Sequence, residues 1–379
     1  MVRKAYITKV SKFFPNDPIQ NDELEEYLGK IKGLRSKAKA LILRNNGIKT
    51  RYYALEKGGK ITHTNAELTA AAIRNLEDGS FTINDIQLIT CGTASPDLLM
   101  PSHASMVHGL LGIRSMDVMS AEGSCNSSMW ALNYAWMSIL TGKYSNAVCA
   151  GSELQSTSML SKNFEEESKH LESLGKNPYI AFEKEFLRWM LSDGASAVLL
   201  EDKPNDAGLS LQIDWIEIRS YANEIETCMY YGGLKGDQGN VIPWRNLDPR
   251  QWIEESVFSL KQDSRLLEQQ ITRLGGLFLK DLIEKYNLDI AEVDHFLPHM
   301  SSEFFRNKIR GSLIEMEIDI PEEKWFTNLS KVGNIGAASG FLMLDELFNN
   351  DSIKKGEKLL LMIPESARFS YTFVHLTAV

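Results

Sequence analysis

The sequence predicts an α/β protein, because segments with helical spacing of apolar residues alternate with short apolar segments typical of buried strands. The chain has 379 residues, 43% of them hydrophobic, so it can bury a sizeable core in one large domain or two. A first series of strands is expected at residues 5–10, 87–91, 146–151 and 195–200. A second series is expected at residues 209–218, 294–299, 358–363 and 371–376.

Helices are expected between these strands. Residues 65–76 combine helical apolar spacing with an asparagine, Asn65, that can cap the first turn. Residues 125–140 are apolar on nearly every side, which is typical of a helix at the centre of a protein. Further helices are expected within residues 252–286, from Ser302 onwards and after Asn334.

Charge and composition argue against several classes of protein. The net charge of −9 provides no overall basic field for nucleic acid or an anionic membrane, and no apolar run reaches the roughly 18 residues of a membrane span. The N-terminal residues have no apolar signal region, which favours a cytoplasmic location. The cysteines and histidines show no metal-binding spacing, so we expect neither a metal nor another cofactor.

The segment from Ser120 to Leu132 contains a candidate nucleophile, Cys125, at the start of the predicted central helix. Unpaired backbone N–H groups and the helix dipole at such a position lower a thiol pKa from about 8.5 to roughly 3.5–7.5. Gly123 and Ser124 allow a tight turn before the sulfur. The alternative is a small buried cysteine in a helix cap.

Two later polar residues follow expected strands and suit the same chemistry. His299 ends a short apolar strand, and Asn334 lies in a glycine-bracketed loop before a helix. Both side chains can donate hydrogen bonds to one carbonyl oxygen and so stabilise an enolate or oxyanion beside an acylated cysteine. A structural histidine and an ordinary turn asparagine are the alternatives.

Cys125, Pro298-His299 and Gly333-Asn334 occur in this order along the chain. Further segments accompany them: Asn46–Arg51, Gly92–Pro96, Met100–Ser102 and Leu191–Val198. Together they resemble ketosynthase III, the condensing-enzyme branch of the thiolase superfamily, over essentially the whole chain. The ending Pro364–Tyr371 is most similar to the bacterial enzymes that make dialkylresorcinol and flexirubin-type precursors.

The resemblance implies a thiolase-like five-layer αβαβα fold built from two similar halves. Residues 1–205 would carry the nucleophilic Cys125, and residues 206–379 would carry His299 and Asn334. Two segments, 156–189 and 221–250, look longer than a compact member of the family needs. They are either surface additions or roofs over the substrate entrance.

The resemblance also implies roles for these side chains. Cys125 would take an acyl chain from a thioester, while His299 and Asn334 hold the carbonyl of a second thioester as its α-carbon becomes an enolate. That carbon would attack the acyl group on Cys125 in a Claisen condensation. The sequence leaves open whether the enolate forms by loss of CO₂ or by removal of a proton, for which His299 is the candidate base.

A second oxyanion hole is implied from the backbone N–H groups of Cys125 and Arg368. The family usually has a glycine cluster in the latter loop, whereas this chain has Ser366-Ala-Arg368. The Ser366 and Arg368 side chains would therefore contact substrate, unless Arg368 pairs with an acidic neighbour. Met100 matches a position that ends the acyl pocket at the interface of a homodimer. Glu122 is a further candidate base in the substrate channel.

The family's coenzyme A users have a tryptophan and an arginine before the residue matching Gly47. Leu41–Asn46 contains no aromatic residue, which favours donors bound to an acyl carrier protein. Carrier proteins are acidic, so a basic docking patch is expected. The candidates are Arg306, Lys308 and Arg310 on the helix after His299, with a solvated helix face as the alternative.

The expected activity is the condensation of a β-ketoacyl with an α,β-unsaturated acyl chain, followed by closure to a dialkylcyclohexanedione, a dialkylresorcinol precursor. Two other functions fit the residues less well. An acyltransferase would pass the acyl group from Cys125 to an alcohol or amine, but such relatives often alter the asparagine. A non-catalytic chain-length or scaffold subunit would usually lack the cysteine.

Overall fold

The computed structural model describes residues 3–177, 179–236 and 239–379. Residues 178, 237 and 238 of the two expected insertions and residues 1 and 2 lie outside the described part. The strands are β1 Tyr6–Phe13, β2 Ile19–Gln20, β3 Thr50–Arg51, β4 Leu88–Thr93, β5 Asp117–Glu122, β6 Asn146–Glu153, β7 Gly194–Glu201, β8 Leu211–Ser220, β9 Met229–Tyr230, β10 Gly233–Lys235, β11 Val241–Pro243, β12 Lys261–Gln262, β13 His295–Pro298, β14 Lys358–Glu365 and β15 Ser370–Ala378. The α-helices are α1 Leu24–Leu28, α2 Lys39–Asn46, α3 Asn65–Arg74, α4 His103–Leu111, α5 Ser127–Leu140, α6 Glu165–Ser173, α7 Phe182–Arg188, α8 Pro249–Glu254, α9 Ser264–Tyr286, α10 Arg306–Glu315, α11 Leu329–Val332 and α12 Ser339–Asn349.

Nine strands form one mixed sheet in the order β13-β14-β15-β8-β1-β7-β6-β4-β5. The pairs β4–β5, β4–β6 and β13–β14 are parallel, and the other pairs are antiparallel. Strands β1 and β8 meet only at Tyr6–Gln212 and Ile7–Leu211. This short contact joins two sheets, one from each half of the chain.

The helices form three layers around these two sheets. Helices α5 and α12 lie between the sheets, where Leu132 and Phe341 share a core with Ile216 of β8 and Val198 of β7. Helix α3 packs with α4 on the outer face of the first sheet, and α9 packs with α10 on the outer face of the second. The α/β class and the thiolase-like layer order expected from the sequence are confirmed.

Two helices begin elsewhere than the sequence predicts. Helix α3 is capped by Thr64 rather than Asn65, because Thr64 and Glu67 form a reciprocal capping box. Helix α5 begins at Ser127 after Asn126, so Cys125 lies in the turn before the helix rather than at its start. The prediction that the helix starts at the cysteine is therefore wrong by two residues.

A buried ion pair joins the two helices of the long segment after β6, and its lysine also contacts the segment after β8. Lys184 of α7 forms an ion pair of 2.6 Å with Glu167 of α6, and both side chains are about nine-tenths or more buried. The same ammonium group donates 3.0 Å to the carbonyl of Glu255. Removal of one partner from such a pair leaves an uncompensated charge, which strongly favours the paired arrangement once both segments are folded.

Candidate active site

The turn that carries Cys125 is anchored to the C-terminal strand β15. The side chain of the buried Asn126 donates a hydrogen bond of 3.1 Å to the hydroxyl of Ser370 and accepts one from the hydroxyl of Thr372. On the other side, Gly92 of β4 lies so close to the backbone of Ser128 that a Cβ there would come within 2.2 Å of it. These contacts place the cysteine turn between the two sheets.

Cys125 and His299 line one cavity, together with Ser366 and apolar side chains such as Leu267 and Phe305. The cavity has a volume of about 30 Å³, which is roughly the share of one water molecule. His299 follows β13, and its backbone N–H donates a hydrogen bond of 2.8 Å to the carbonyl of Met362 on β14. Within the described residues its imidazole has no hydrogen-bond partner, so both ring nitrogens are available to a substrate.

Asn334 does not line this small cavity, and its loop is held by other contacts. Its side-chain oxygen accepts the N–H of Gly336 at 3.0 Å, and its backbone oxygen accepts the N–H of Ser192 at 2.9 Å. The loop is fixed to α5 because Ser128 donates 2.5 Å to the carbonyl of Ala337. The Asn334 NH₂ group has no acceptor in the part of the chain that the structure describes, and the side chain is 5% exposed.

Burial shifts the pKa values of His299 and Cys125 away from their ordinary values, in opposite directions. Burial lowers the pKa of His299 to about 4, so the imidazole is neutral at neutral pH. Burial, aided by the negative charges of Glu153 and Glu365, raises the pKa of the Cys125 thiol. The expectation that a helix start would lower this pKa is therefore wrong, because Cys125 precedes the helix and burial and two carboxyl groups disfavour the thiolate.

The carboxyl groups of Glu153 and Glu365 are both buried, and no role for either was predicted from the sequence. Glu153 accepts hydrogen bonds from Ser95, Gln155 and the backbone N–H groups of Ala94 and Ala337. Glu365 accepts the N–H of Ser124, at 3.2 Å. Burial raises the pKa of each carboxyl group. The sequence signal was a glutamate at the end of an apolar strand, as in β6 and β14.

Glu365→Gln is expected to lower the pKa of the Cys125 thiol. It removes a negative charge that disfavours the thiolate, while the amide oxygen can still accept the Ser124 N–H. The midpoint of the pH profile for alkylation by iodoacetamide should fall by about one unit, so that alkylation below the midpoint becomes roughly tenfold faster. Intact mass follows the reaction.

Glu284→Gln, at an exposed position of the outer helix α9, provides the control and should leave the profile unchanged. The other three cysteines are buried and should react slowly in both variants. An unchanged profile in Glu365→Gln would show that the carboxyl charge does not reach the thiol.

The remaining candidates of the substrate channel occupy different places. Ser366 lines the Cys125 cavity, and its hydroxyl accepts a hydrogen bond of 2.8 Å from the Gln262 side chain. The Arg368 side chain is exposed and donates a hydrogen bond of 3.5 Å to the carbonyl of Ile225. The backbone N–H groups of Cys125 and Arg368 have no acceptor among residues 3–177, 179–236 and 239–379. Their role as a second oxyanion hole stays a prediction.

Glu122, but not Met100, lines a larger cavity on the other side of the cysteine turn. This cavity, of about 870 Å³, is lined by Glu122, Gly123, Leu98 and Leu99. Met100 is 85% exposed at the tip of the same loop, beside Leu99, which is 82% exposed. Such exposed apolar side chains are expected at an interface, and the predicted homodimer would cover them.

The docking candidates on α10 are all ion-paired. Arg306 binds Glu303 at 2.7 Å, Lys308 binds Glu268 at 2.8 Å, and Arg310 binds Glu322. Each positive charge therefore has an acidic side chain beside it. Their role in carrier binding stays a prediction.

A further cavity of about 180 Å³ adjoins the Cys125 cavity, because Leu267 and Phe305 line both. Leu41, Ile42, Asn45 and Asn46 of α2 form one wall of it. Phe182 and Phe186 of α7 form another, so the segment 156–189 borders this cavity. Leu267 and Phe305 thus form a wall that is common to both cavities.

No group of three or more potential metal ligands is found among the described residues. None of the described helices has the length and hydrophobicity needed to cross a bilayer.

Sequence models of two families match the chain. The model described as 3-oxoacyl-[acyl-carrier-protein] synthase III, C terminal, matches residues 283–363, and the model described as beta-ketoacyl synthase, N-terminal domain, matches residues 54–205. The chain is 23% identical to a beta-ketoacyl-[acyl-carrier-protein] synthase III of Clostridium perfringens over 95% of each chain. It is 26% identical to one of Rickettsia prowazekii over 92% of each chain.

Solved structures of condensing enzymes share the fold. OleA of Xanthomonas campestris, crystallised with lauric acid and lauroyl-CoA, superposes with a TM-score of 0.73 at 18% identity, covering 100% of both chains. AbyA1, a tetronic acid condensing enzyme, gives 0.74 at 18% identity, covering 98% of this chain and 99% of the other. FabH of Pseudomonas aeruginosa gives 0.69 at 16% identity, with 99% and 98% covered. The matched models and the relatives show that the chain is similar to beta-ketoacyl-[acyl-carrier-protein] synthases of type III, and it has the thiolase-like fold of the solved condensing enzymes.

Proposed function

We propose that this protein joins two acyl thioesters by a Claisen condensation through an acyl group on Cys125. The observation that carries the proposal is the cavity that Cys125 and His299 line together, with an imidazole that has no hydrogen-bond partner among the described residues. A neutral His299 has one N–H donor and one unprotonated nitrogen. The names of the relatives and neighbours support a condensing activity.

In the first step the Cys125 sulfur attacks the carbonyl carbon of a donor thioester. A new C–S bond forms, the bond to the donor sulfur breaks, and the thiol proton passes to that leaving sulfur. In the second step His299 and Asn334 donate hydrogen bonds to the thioester oxygen of the other substrate while its α-carbon attacks the acyl group. The α-carbon loses a proton to a base, for which His299 is the candidate, and the new C–C bond forms as the C–S bond to Cys125 breaks. The departing sulfur takes up that proton, which regenerates the Cys125 thiol.

We further propose that one substrate is a β-ketoacyl chain and the other an α,β-unsaturated chain, cyclised to a dialkylcyclohexanedione that precedes a dialkylresorcinol. The similarity of residues 364–371 to enzymes of that type supports this product. We propose carrier-bound substrates, as in the names of the relatives, and a cytoplasmic homodimer. The cavity of about 870 Å³ beside Gly123 offers space for alkyl chains near the cysteine turn.

The test is incubation of the purified protein with both substrates on acyl carrier protein, followed by mass spectrometry of small-molecule products. The expected result is the cyclised dione, together with an acyl adduct on the protein. Finding only transferred or hydrolysed acyl groups would contradict C–C bond formation. A linear condensation product would retain the Claisen step and overturn the ring closure.

A further inference from the structure

A basic segment lies between α1 and β3. Residues 30–49, called the basic segment below, contain seven lysines and arginines and no acidic residue. The whole chain carries a net charge of −9, so this segment is a local reversal of the overall sign. A protein of net negative charge that binds an acidic partner needs such a local patch.

Several cations of the basic segment are exposed and uncompensated. Lys30, Arg35, Lys37 and Arg44 are exposed, and none forms an ion pair with any residue that the structure describes. Lys32 and Lys39 pair with Glu172 and Glu25. The α10 candidates differ, because each of those three cations already has a carboxylate partner. The basic segment therefore offers more unneutralised positive charge to a partner than α10 does.

The basic segment lies beside the cavity of about 180 Å³ that shares Leu267 and Phe305 with the Cys125 cavity. Helix α2 belongs to it, and one face of α2 lines the cavity of about 180 Å³ that adjoins the Cys125 cavity. Arg44 directly precedes Asn45, which lines that cavity. The opposite face of α2 borders an open cleft of about 460 Å³ that also involves Lys30 and Arg35. The free cations thus flank helix α2, which forms one wall of the cavity of about 180 Å³.

We propose that the basic segment is the docking surface for an acidic acyl carrier protein, with α2 guiding its thioester arm into the cavity of about 180 Å³. The inference rests on the proposed function and names the partner surface of the same site. Complementary charge at the rim speeds encounter and weakens with added salt, whereas the apolar walls at Leu41, Phe182 and Phe186 suit the arm rather than the protein surface.

The test compares two double charge reversals. Arg35→Glu with Lys37→Glu changes two free cations of the basic segment, and Lys354→Glu with Lys355→Glu changes two exposed lysines on the loop before β14. Acylation of Cys125 is followed by intact mass with octanoyl-acyl carrier protein and with octanoyl-pantetheine. The first variant should lose about tenfold or more in kcat/KM with the carrier protein, through KM, and keep its rate with pantetheine.

Its rate should also depend less on salt than that of the unmodified protein, whereas the Lys354/Lys355 variant should match the unmodified protein throughout. Equal loss with both donors would overturn docking, because pantetheine has no carrier protein to dock. Octanoyl-coenzyme A serves as a third donor, and a loss confined to it would assign the cations to nucleotide phosphates and would also overturn docking. An unchanged rate in the Arg35/Lys37 variant would also overturn docking at the basic segment. The contradiction would be strongest if Lys308→Glu lost the carrier-dependent rate instead.

Direct binding separates this inference from the proposed function. Fluorescence anisotropy of labelled holo-acyl carrier protein measures docking without any chemistry. If the unmodified protein bound the carrier and the Arg35/Lys37 variant did not, the docking surface would stand even where no condensation product forms. Equal binding by both proteins would refute it whatever the reaction products are.

Discussion

Cys125→Ala is expected to abolish both the acyl adduct and the condensation product. No other cysteine can replace it, because Cys91, Cys149 and Cys228 are buried in the core, away from the cavity that contains His299. Loss of a covalent nucleophile removes the acyl intermediate itself, so we expect the rate to fall by about 10³-fold or more. Intact mass after incubation with acyl carrier protein measures the adduct, and product analysis measures the rate.

Cys91→Ala is the matched control, since it removes a thiol from buried strand β4 and leaves the cavity unchanged. It should keep the adduct, with at most a modest loss of stability. Thermal melting of both variants distinguishes a missing nucleophile from a misfolded protein. An adduct of full mass in Cys125→Ala would move the nucleophile elsewhere and end the proposed mechanism.

The layer order was implied by the family resemblance, whereas the central position of helix α5 was predictable from burial alone. Helix α5 lies between two sheets, so nearly every side must be apolar, and the sequence from Met129 to Ile139 shows this directly. Strands β6 and β7 are buried on both faces and are continuous apolar runs. The joining of the sheets through two residue pairs of β1 and β8 has no such signal, since strand pairing depends on the assembled layers.

The electrostatics of the site were less predictable than its members. The resemblance to ketosynthase III brought Cys125 and His299 together at the level of the sequence, and the two residues line one cavity in the structure. The direction in which the thiol pKa shifts could not be predicted, because it depends on burial and on Glu153 and Glu365, which lie on distant strands. The basic segment was visible in the sequence as a run without acidic residues, but net charge conceals a local run of the opposite sign.

Asn334→Asp is expected to leave acylation of Cys125 nearly unchanged and to stop condensation. Aspartate keeps the oxygen that accepts the Gly336 N–H but replaces the free NH₂ donor by a carboxylate oxygen. A negative charge there would repel the enolate oxygen that the amide is proposed to stabilise. Removal of one such donor typically costs about 10²–10³-fold in rate, and the added repulsion increases the loss.

Acyl adduct formation and product formation must be measured on the same sample, because the prediction separates the two steps. Asn334→Ala, which removes donor and acceptor together, should show the same separation with lower thermal stability, since the Gly336 N–H loses its acceptor. If either variant lost the adduct as well, Asn334 would act in the first step. If Asn334→Asp condensed at the original rate, the second thioester would have to be held by His299 without the amide, and the paired donors proposed for this site would reduce to one.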